Sequence, residues 1–272
     1  MELKSNKSTR FSTARRVLGV TTGIGHLYSR VAPLAAKCFE HHTGISTVVL
    51  GDKHLASSRV LHPAALRLQL FEYFDAQVIV YFDADWFCLR DWSPLELSSN
   101  RAIIACRDFV LTDEWPRQHY DFSSAAFLDA PAPYTPAEPS EETLRKDYIE
   151  EVRSFAGISA PWANWVNSGL IIFNRDHHRP LLDLALDLYL GAVGHHPEYY
   201  EQPALNKAIE MLGIPPMLIA RKYNVLAAYE SKWPSSVVGL HVKLKRHFAF
   251  VAAINAGSLN TPDEVHRFFS EK

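Results

Sequence analysis

Asp83 and Asp85 stand two residues apart, directly after Gln77-Val78-Ile79-Val80-Tyr81-Phe82, a run that is apolar throughout after its first residue. Such a run reads as a β-strand covered on both faces by helices, and open α/β sheets bind their ligands beyond the carboxyl ends of their strands. On an extended backbone the side chains at i and i+2 point to the same side. The two carboxylates therefore offer hard oxygen ligands to Mg²⁺ or Mn²⁺, a cation that can be shared with substrate phosphates. The alternative is a solvated loop after a strand. The histidines compete poorly for a metal: His41-His42, His177-His178 and His195-His196 are adjacent pairs, whose side chains diverge in helix and strand alike, so surface or capping roles are expected. Cys38, Cys88 and Cys106 have no metal-ligand spacing, and an odd count argues against a disulfide framework. They read as buried thiols in a reducing compartment.

The elements that must position the two carboxylates alternate in type. Residues 16–23 read as a short buried strand ending in a Gly turn, 26–42 as a helix, and 46–50 as a β-rich run closed by Gly51-Asp52. His62-Pro63 opens an apolar-periodic helix through Phe74, with Pro63 in its first turn. After the strand that ends at Phe82, residues 101–106 supply another. The pattern then dissolves from Thr112 to Trp162, where Pro131, Pro133, Pro136 and Pro139 cluster. This stretch reads as an insertion or lid, within which Ser140 can cap a short helix carrying Glu141 and Glu142 in its first turn. A strand over 165–174, helices over 180–190 and 204–212, and a last strand over 237–241 complete the reading. Strand and helix alternate as in the α/β class. Residues 1–15 read as a flexible basic tail and 16–272 as one domain.

Composition bounds the function. With 272 residues, 47% of them hydrophobic, the chain can bury a full core. Lys plus Arg number 28 against 30 Asp plus Glu, so no strong field draws the protein onto nucleic acid or anionic lipid. No apolar run approaches the roughly 18 residues of a membrane span, and a cytoplasmic protein without a transmembrane segment is expected. The Arg- and Ser-bearing stretch from Lys4 to Arg16 has the alternative reading of a transit peptide.

Val80-Tyr81-Phe82-Asp83-Ala84-Asp85-Trp86-Phe87-Cys88-Leu89 resembles the metal-binding segment of GT-A glycosyltransferases, especially family 8, the glycogenin-like retaining enzymes. Further segments follow in family order. Val166-Asn167-Ser168-Gly169-Leu170-Ile171-Ile172-Phe173-Asn174 is similar to the family's Asn-Ser-Gly segment, and Glu201-Gln202-Pro203-Ala204-Leu205-Asn206 to its Asp-Gln-Asp-Ala-Leu-Asn segment. Tyr223-Asn224 precedes the last strand, and His241 at that strand's end matches the family's third metal ligand. Two departures stand out: Glu201 and Pro203 replace the family's acidic pair, and His241-Val242-Lys243-Leu244-Lys245-Arg246-His247 replaces its His-x-x-Gly-x-x-Lys-Pro-Trp. Read without the resemblance, Asn167 bonds a turn and Asn206 caps or decorates a helix.

The resemblance implies a mixed, mainly parallel GT-A sheet flanked by helices. It implies transfer of a sugar from a nucleotide sugar, UDP-linked, to an acceptor that is a glycan, a protein or a small molecule, with retention. Asp83, Asp85 and His241 are the implied ligands of Mn²⁺ or Mg²⁺. Gln202 is implied beneath the reacting carbon, with Glu201, Asn167, Ser168 and Asp108 on the donor side and Arg67 as a further donor contact. Thr21 and Thr22 are implied at the nucleotide base. Lys243 or Lys245 meets the pyrophosphate, both sharing His241's face if the strand continues. Trp86, Trp115, Trp162 and Trp165 flank the site, where one can stack on a sugar ring and burial is the alternative. The stretch 112–162 is expected to shape the acceptor site. Two alternatives remain: a haloacid-dehalogenase-type phosphohydrolase, which also places Asp-x-Asp after a strand, and a non-catalytic GT-A-fold binding module.

Overall fold

The structure, a computed structural model, describes residues 17–96, 101–107, 165–192, 201–227, 235–242, 244 and 247–270. The basic tail, the stretch 112–162, Asp108, Lys243, Lys245, Trp115, Trp162 and the pair His195-His196 lie outside the described residues.

In chain order the elements are β1 (Val17–Thr22), α1 (Gly25–Thr43), β2 (Thr47–Leu50), α2 (Asp52–Ala56), a 3-10 helix (Pro63–Gln69) running into α3 (Leu70–Tyr73), β3 (Val78–Phe82), β4 (Trp86–Cys88), β5 (Ile103–Arg107), β6 (Val166–Asn174), α4 (Arg175–Ala192), α5 (Glu201–Met211), β7 (Pro216–Ile219), β8 (Val225–Ala227), β9 (Gly239–Val242), α6 (Phe248–Asn255) and α7 (Pro262–Ser270). Six strands form one sheet in the order β2-β1-β3-β6-β5-β7, and β4-β9-β8 form a second, smaller one. In the large sheet β1 runs parallel to β2 and β3, and β5 parallel to β7. β6 is antiparallel to both neighbours, β3 and β5. The expected mixed, mainly parallel sheet flanked by helices is present.

Strand pleating explains the uninterrupted apolar run of β3. Val78, Val80 and Phe82 turn to one face, packing with Val31, Ala35, Cys38 and Phe39 of α1. Ile79 and Tyr81 turn to the other, packing with Leu66 and Leu68 of the 3-10 helix, Leu70 of α3 and residues of α4 and α5. Both faces are covered, so both sets of alternating residues must be apolar.

The helix expected from Pro63 to Phe74 is instead a 3-10 helix for its first 7 residues. The tight turn is held where His62 Nδ1 accepts the Ala64 N–H at 3.3 Å and the Arg67 Nε donates back to the Ala64 carbonyl at 2.8 Å. Burial of Arg67, which is 2% exposed, overrides the α-helical preference of the local sequence.

Candidate active site

The chain must leave the large sheet after β3 and enter the small sheet at β4, and residues 83–85 make that passage as a turn. The Asp83 N–H donates to the Gly169 carbonyl at 2.9 Å, the Trp86 N–H closes onto the Asp83 carbonyl at 3.0 Å, and the Val242 N–H donates to the Asp85 carbonyl at 2.8 Å. The two carboxylates are therefore presented by a turn tied at both ends, not by the extended backbone expected from their spacing. β9 brings the third group: His241 pairs with Trp86 across the small sheet. The His241 Nε2 lies 3.2 Å from Asp85 Oδ1 and 3.7 Å from Asp83 Oδ2, and one ligand atom from each of the three residues lies within 4.8 Å of the others. Two carboxylates and an imidazole nitrogen at these separations fit a Mn²⁺ or Mg²⁺ ion.

Two glycines are required by space at this junction. A Cβ on Gly239 would lie 2.2 Å from both the Trp86 ring and the Tyr223 carbonyl. Trp86 is fully buried and donates its indole N–H to that carbonyl at 3.0 Å. It packs the passage between the sheets and presents no face to a sugar; Trp165 is likewise buried. A Cβ on Gly169 would lie 2.8 Å from His241 Nδ1 and 2.8 Å from Asn167 Oδ1.

Arg67 reaches the cluster from beneath. Its Nη2 donates to Asp83 Oδ1 at 2.8 Å, its Nη1 donates to the Ser168 carbonyl, and its guanidinium lies 4.6 Å from the Tyr81 ring centre. Burial opposes the charge, but Asp83, Tyr81 and Glu201 outweigh it and hold the guanidinium above even its usual range. Each kind of nitrogen on the side chain is engaged within the protein, by the Ala64 and Ser168 carbonyls and by Asp83. Tyr81 donates its phenolic proton to Asp83 Oδ1 at 3.3 Å, and its pKa is raised, chiefly by burial. Tyr28 of α1 faces the same charges: burial, then Asp85 and Asp83, push its hydroxyl up to about 12.

The first turn of α5 carries Glu201 and Gln202 to the start of β6. Gln202 Oε1 accepts both the Ser168 N–H and the Ser168 hydroxyl, each at 2.9 Å. Glu201 is buried, and that burial, partly offset by Arg67, raises its pKa; its Oε2 has no hydrogen-bond partner among the described residues. Asn167 Oδ1 accepts from the Gly169 N–H at 2.9 Å and from Asn224 Nδ2 at 2.8 Å. Asn206 works elsewhere: it bonds the Val166 N–H and carbonyl at 2.8 and 3.1 Å, locking α5 to β6.

At β1 the two threonines differ. Thr22 lies 3.4 Å from the Tyr81 hydroxyl. Thr21 is wholly enclosed, at 0% exposure, and its hydroxyl has no partner among the described residues; it offers no surface to a nucleotide base. β9 is described as far as Val242; Lys243 and Lys245, expected to share His241's face, lie outside the described residues. In the two described histidine pairs, His42 bonds Asp91 at 2.8 Å, and His178 accepts the Asn174 N–H at 3.0 Å while its Nε2 meets the Arg101 carbonyl at 3.1 Å. All three cysteines are free and buried.

The structure thus gathers Asp83, Asp85, His241, Arg67, Ser168, Gln202, Asn167 and Glu201 at one edge of the sheet. Tyr28, Tyr81, Gly169 and Asn224 belong to the same neighbourhood; Gly169 and Asn224 stood in segments that the sequence singled out, without a role, and Tyr28 and Tyr81 were not read as site residues. Tyr81 did carry a signal, as the one polar-tipped side chain inside the apolar run of β3.

No protein-family model and no curated protein matches the chain. Among solved structures, the galactosyltransferase LgtC in complex with donor and acceptor sugar analogs matches with a TM-score of 0.51 and 16% identity, covering 90% of this chain and 96% of LgtC. An active-site mutant of LgtC, glutamine to glutamate, matches with a TM-score of 0.51 and 15% identity over the same shares. The bifunctional glycosyltransferase WbbM matches with a TM-score of 0.48 and 12% identity; the chain spans 45% of that protein's length. The likeness to LgtC establishes the fold as that of the GT-A glycosyltransferases, and this fold argues against the haloacid-dehalogenase alternative.

Proposed function

We propose that the protein is a divalent-cation-dependent glycosyltransferase that moves a sugar from a UDP-linked donor to an acceptor, with retention, as in glycosyltransferase family 8. The convergence of Asp83, Asp85 and His241 at the ligand edge of a GT-A sheet carries the reading. When bound there, Mn²⁺ or Mg²⁺ supplies Lewis-acid stabilisation of the diphosphate leaving group. Asp83 Oδ2, Asp85 Oδ1 and His241 Nε2 would hold it, and Lys243 or Lys245 would add charge at the same phosphates. Gln202, whose amide oxygen accepts from Ser168, stands beneath the reacting carbon in this reading and would act mainly in the transition state, its oxygen facing the positive charge that develops there. The glutamine replaced in the LgtC active-site mutant supports that role. Glu201, Asn167 and Asp108 contact the donor sugar, Thr22 stands at the base end, and residues 112–162 cover the donor and shape the acceptor site. Three unpaired, buried thiols support a reducing, cytoplasmic setting.

The test is UDP release from a panel of UDP-sugars, with and without candidate acceptors, in Mn²⁺ and in chelator. Cation-dependent release that Asp85→Ala abolishes is the expected result. Equal donor affinity and turnover in both conditions would remove the cation from the reaction, and no release from any UDP-sugar would favour a non-catalytic module.

A further inference from the structure

Tyr81 has no part in substrate contact: it is 1% exposed, inside β3, with both sheet neighbours paired. Its hydroxyl nevertheless lies 3.3 Å from Asp83 Oδ1 and 3.4 Å from Thr22 Oγ1. An ionised carboxylate only accepts hydrogen bonds, and a phenol has one proton to give. Tyr81 therefore donates to Asp83 and accepts from Thr22. The Arg67 Nη2 donates to the same oxygen at 2.8 Å, from a side chain 3% exposed. Asp83 Oδ1 thus receives two hydrogen bonds, each from a buried side chain. Asp83 Oδ2, which receives neither, is the oxygen that faces His241, at 3.7 Å.

Two donors on one oxygen fix the plane of the carboxylate. We propose that Tyr81 and Arg67 are positioning residues that hold Asp83 Oδ1, so that Asp83 offers a divalent cation only Oδ2. The inference rests on reading Asp83, Asp85 and His241 as a cation site, and it adds a basis for choosing among cations. A one-oxygen Asp83 suits the small octahedral ions, which leave positions free for phosphate oxygens, whereas Ca²⁺ accepts both oxygens of one carboxylate. Freed from its clamp, Asp83 can turn and offer both. The clamp therefore favours Mn²⁺ over Ca²⁺ by geometry, at unchanged ligand identity.

Tyr81→Phe removes one donor while keeping the ring under Arg67, and Arg67→Lys keeps the charge while losing the fork. Mn²⁺ affinity of the full chain, without donor, is read by electron paramagnetic resonance titration, with Ca²⁺ as competitor and the melting temperature recorded beside it. Tyr81→Phe is expected to weaken Mn²⁺ about tenfold, at the low end of the cost of losing a partner of a metal ligand. Ca²⁺ should weaken far less, so that the Mn²⁺ to Ca²⁺ preference falls, and Arg67→Lys should shift it in the same direction. An unchanged preference in folded Tyr81→Phe overturns the proposal. So does an equal loss for both cations alongside a lower melting temperature, which marks a merely structural tyrosine. If Tyr81→Phe does not fold, the preference in Arg67→Lys decides between the same two results. Wild-type protein that binds Mn²⁺ no better than Asp85→Ala instead defeats the cation-site reading itself, a different failure from a wild type that binds and a variant that matches it.

Discussion

Gly169→Ala puts one methyl group where β6 passes His241. Its Cβ would stand 2.8 Å from His241 Nδ1, 2.9 Å from His241 Cε1 and 2.8 Å from Asn167 Oδ1. Carbon contacts are comfortable only near 3.5 Å, so the imidazole must retreat by about half an ångström or more. The Nε2 that faces Asp83 and Asp85 is bonded to that Cε1 and moves with the ring. Metal–ligand distances tolerate roughly 0.2 Å, so the shift is large enough to spoil a coordination bond. Mn²⁺ affinity is expected to fall by about tenfold or more, within the range for a displaced ligand. Stability works the other way in part. Gly169 is not at positive φ, so alanine gains about 0.4–1 kcal/mol by restricting the unfolded chain, against about 1–3 kcal/mol for overpacking. The net loss is thus small, and the melting temperature should drop by only a few degrees. Calorimetric Mn²⁺ titration beside a thermal melt separates the two effects. A folded Gly169→Ala protein that binds Mn²⁺ like wild type would refute the placement of His241 against β6.

Thr21→Val replaces an enclosed, unpartnered hydroxyl with a methyl group, so stability should rise by about 1 kcal/mol, read from urea midpoints, while UDP affinity stays unchanged; a tenfold loss of affinity would restore Thr21 to the base site. His178 is held below its ordinary pKa, first by burial, so the unfolded state binds its proton more readily. Stability carried by the neutral ring is complete above about pH 6.5 and is lost as pH falls below it. His178→Gln should flatten the decline in urea midpoint between pH 7 and pH 5, and parallel profiles for the two proteins would count against this account.

The carboxylate pair was legible because it ends the most strongly written strand, and β3 was strongly written because both its faces are covered. The α/β class followed from alternation of element types. Strand direction did not: nothing in Val166–Asn174 says that it runs against its neighbours, since an apolar strand buried on both faces looks alike in either sense. The elements β4 and β8, each 3 residues long, are too short to show a period, and α6 is apolar nearly all along, so no face stands out. The spacing of Asp83 and Asp85 suggested extended backbone, whereas the passage from one sheet to the other imposed a turn. The enclosure of Thr21 and the commitment of Arg67 depend on tertiary packing, which adjacent sequence does not encode. Gly169 was visible as part of a motif, but its reason, the ring of His241, lies on another strand.

The reversed direction of β6 also sets when the site can come into being. Because β6 runs backward, its first residues, Asn167 to Gly169, meet the last residues of β3, and the register pairs Phe82 with Leu170. His241 arrives later still, on a strand that pairs with the one after Asp85. A growing chain that has released Asp83 and Asp85 from the ribosome therefore lacks the imidazole opposite them until more than 150 further residues, through His241, have followed. Contacts between residues so distant along the chain form slowly, which makes the site one of the last parts of the molecule to be assembled. The three-residue cluster is thus a property of the closed pair of sheets, and if it binds Mn²⁺ as proposed, the appearance of binding during refolding is expected to time the closing of the small sheet on the large one.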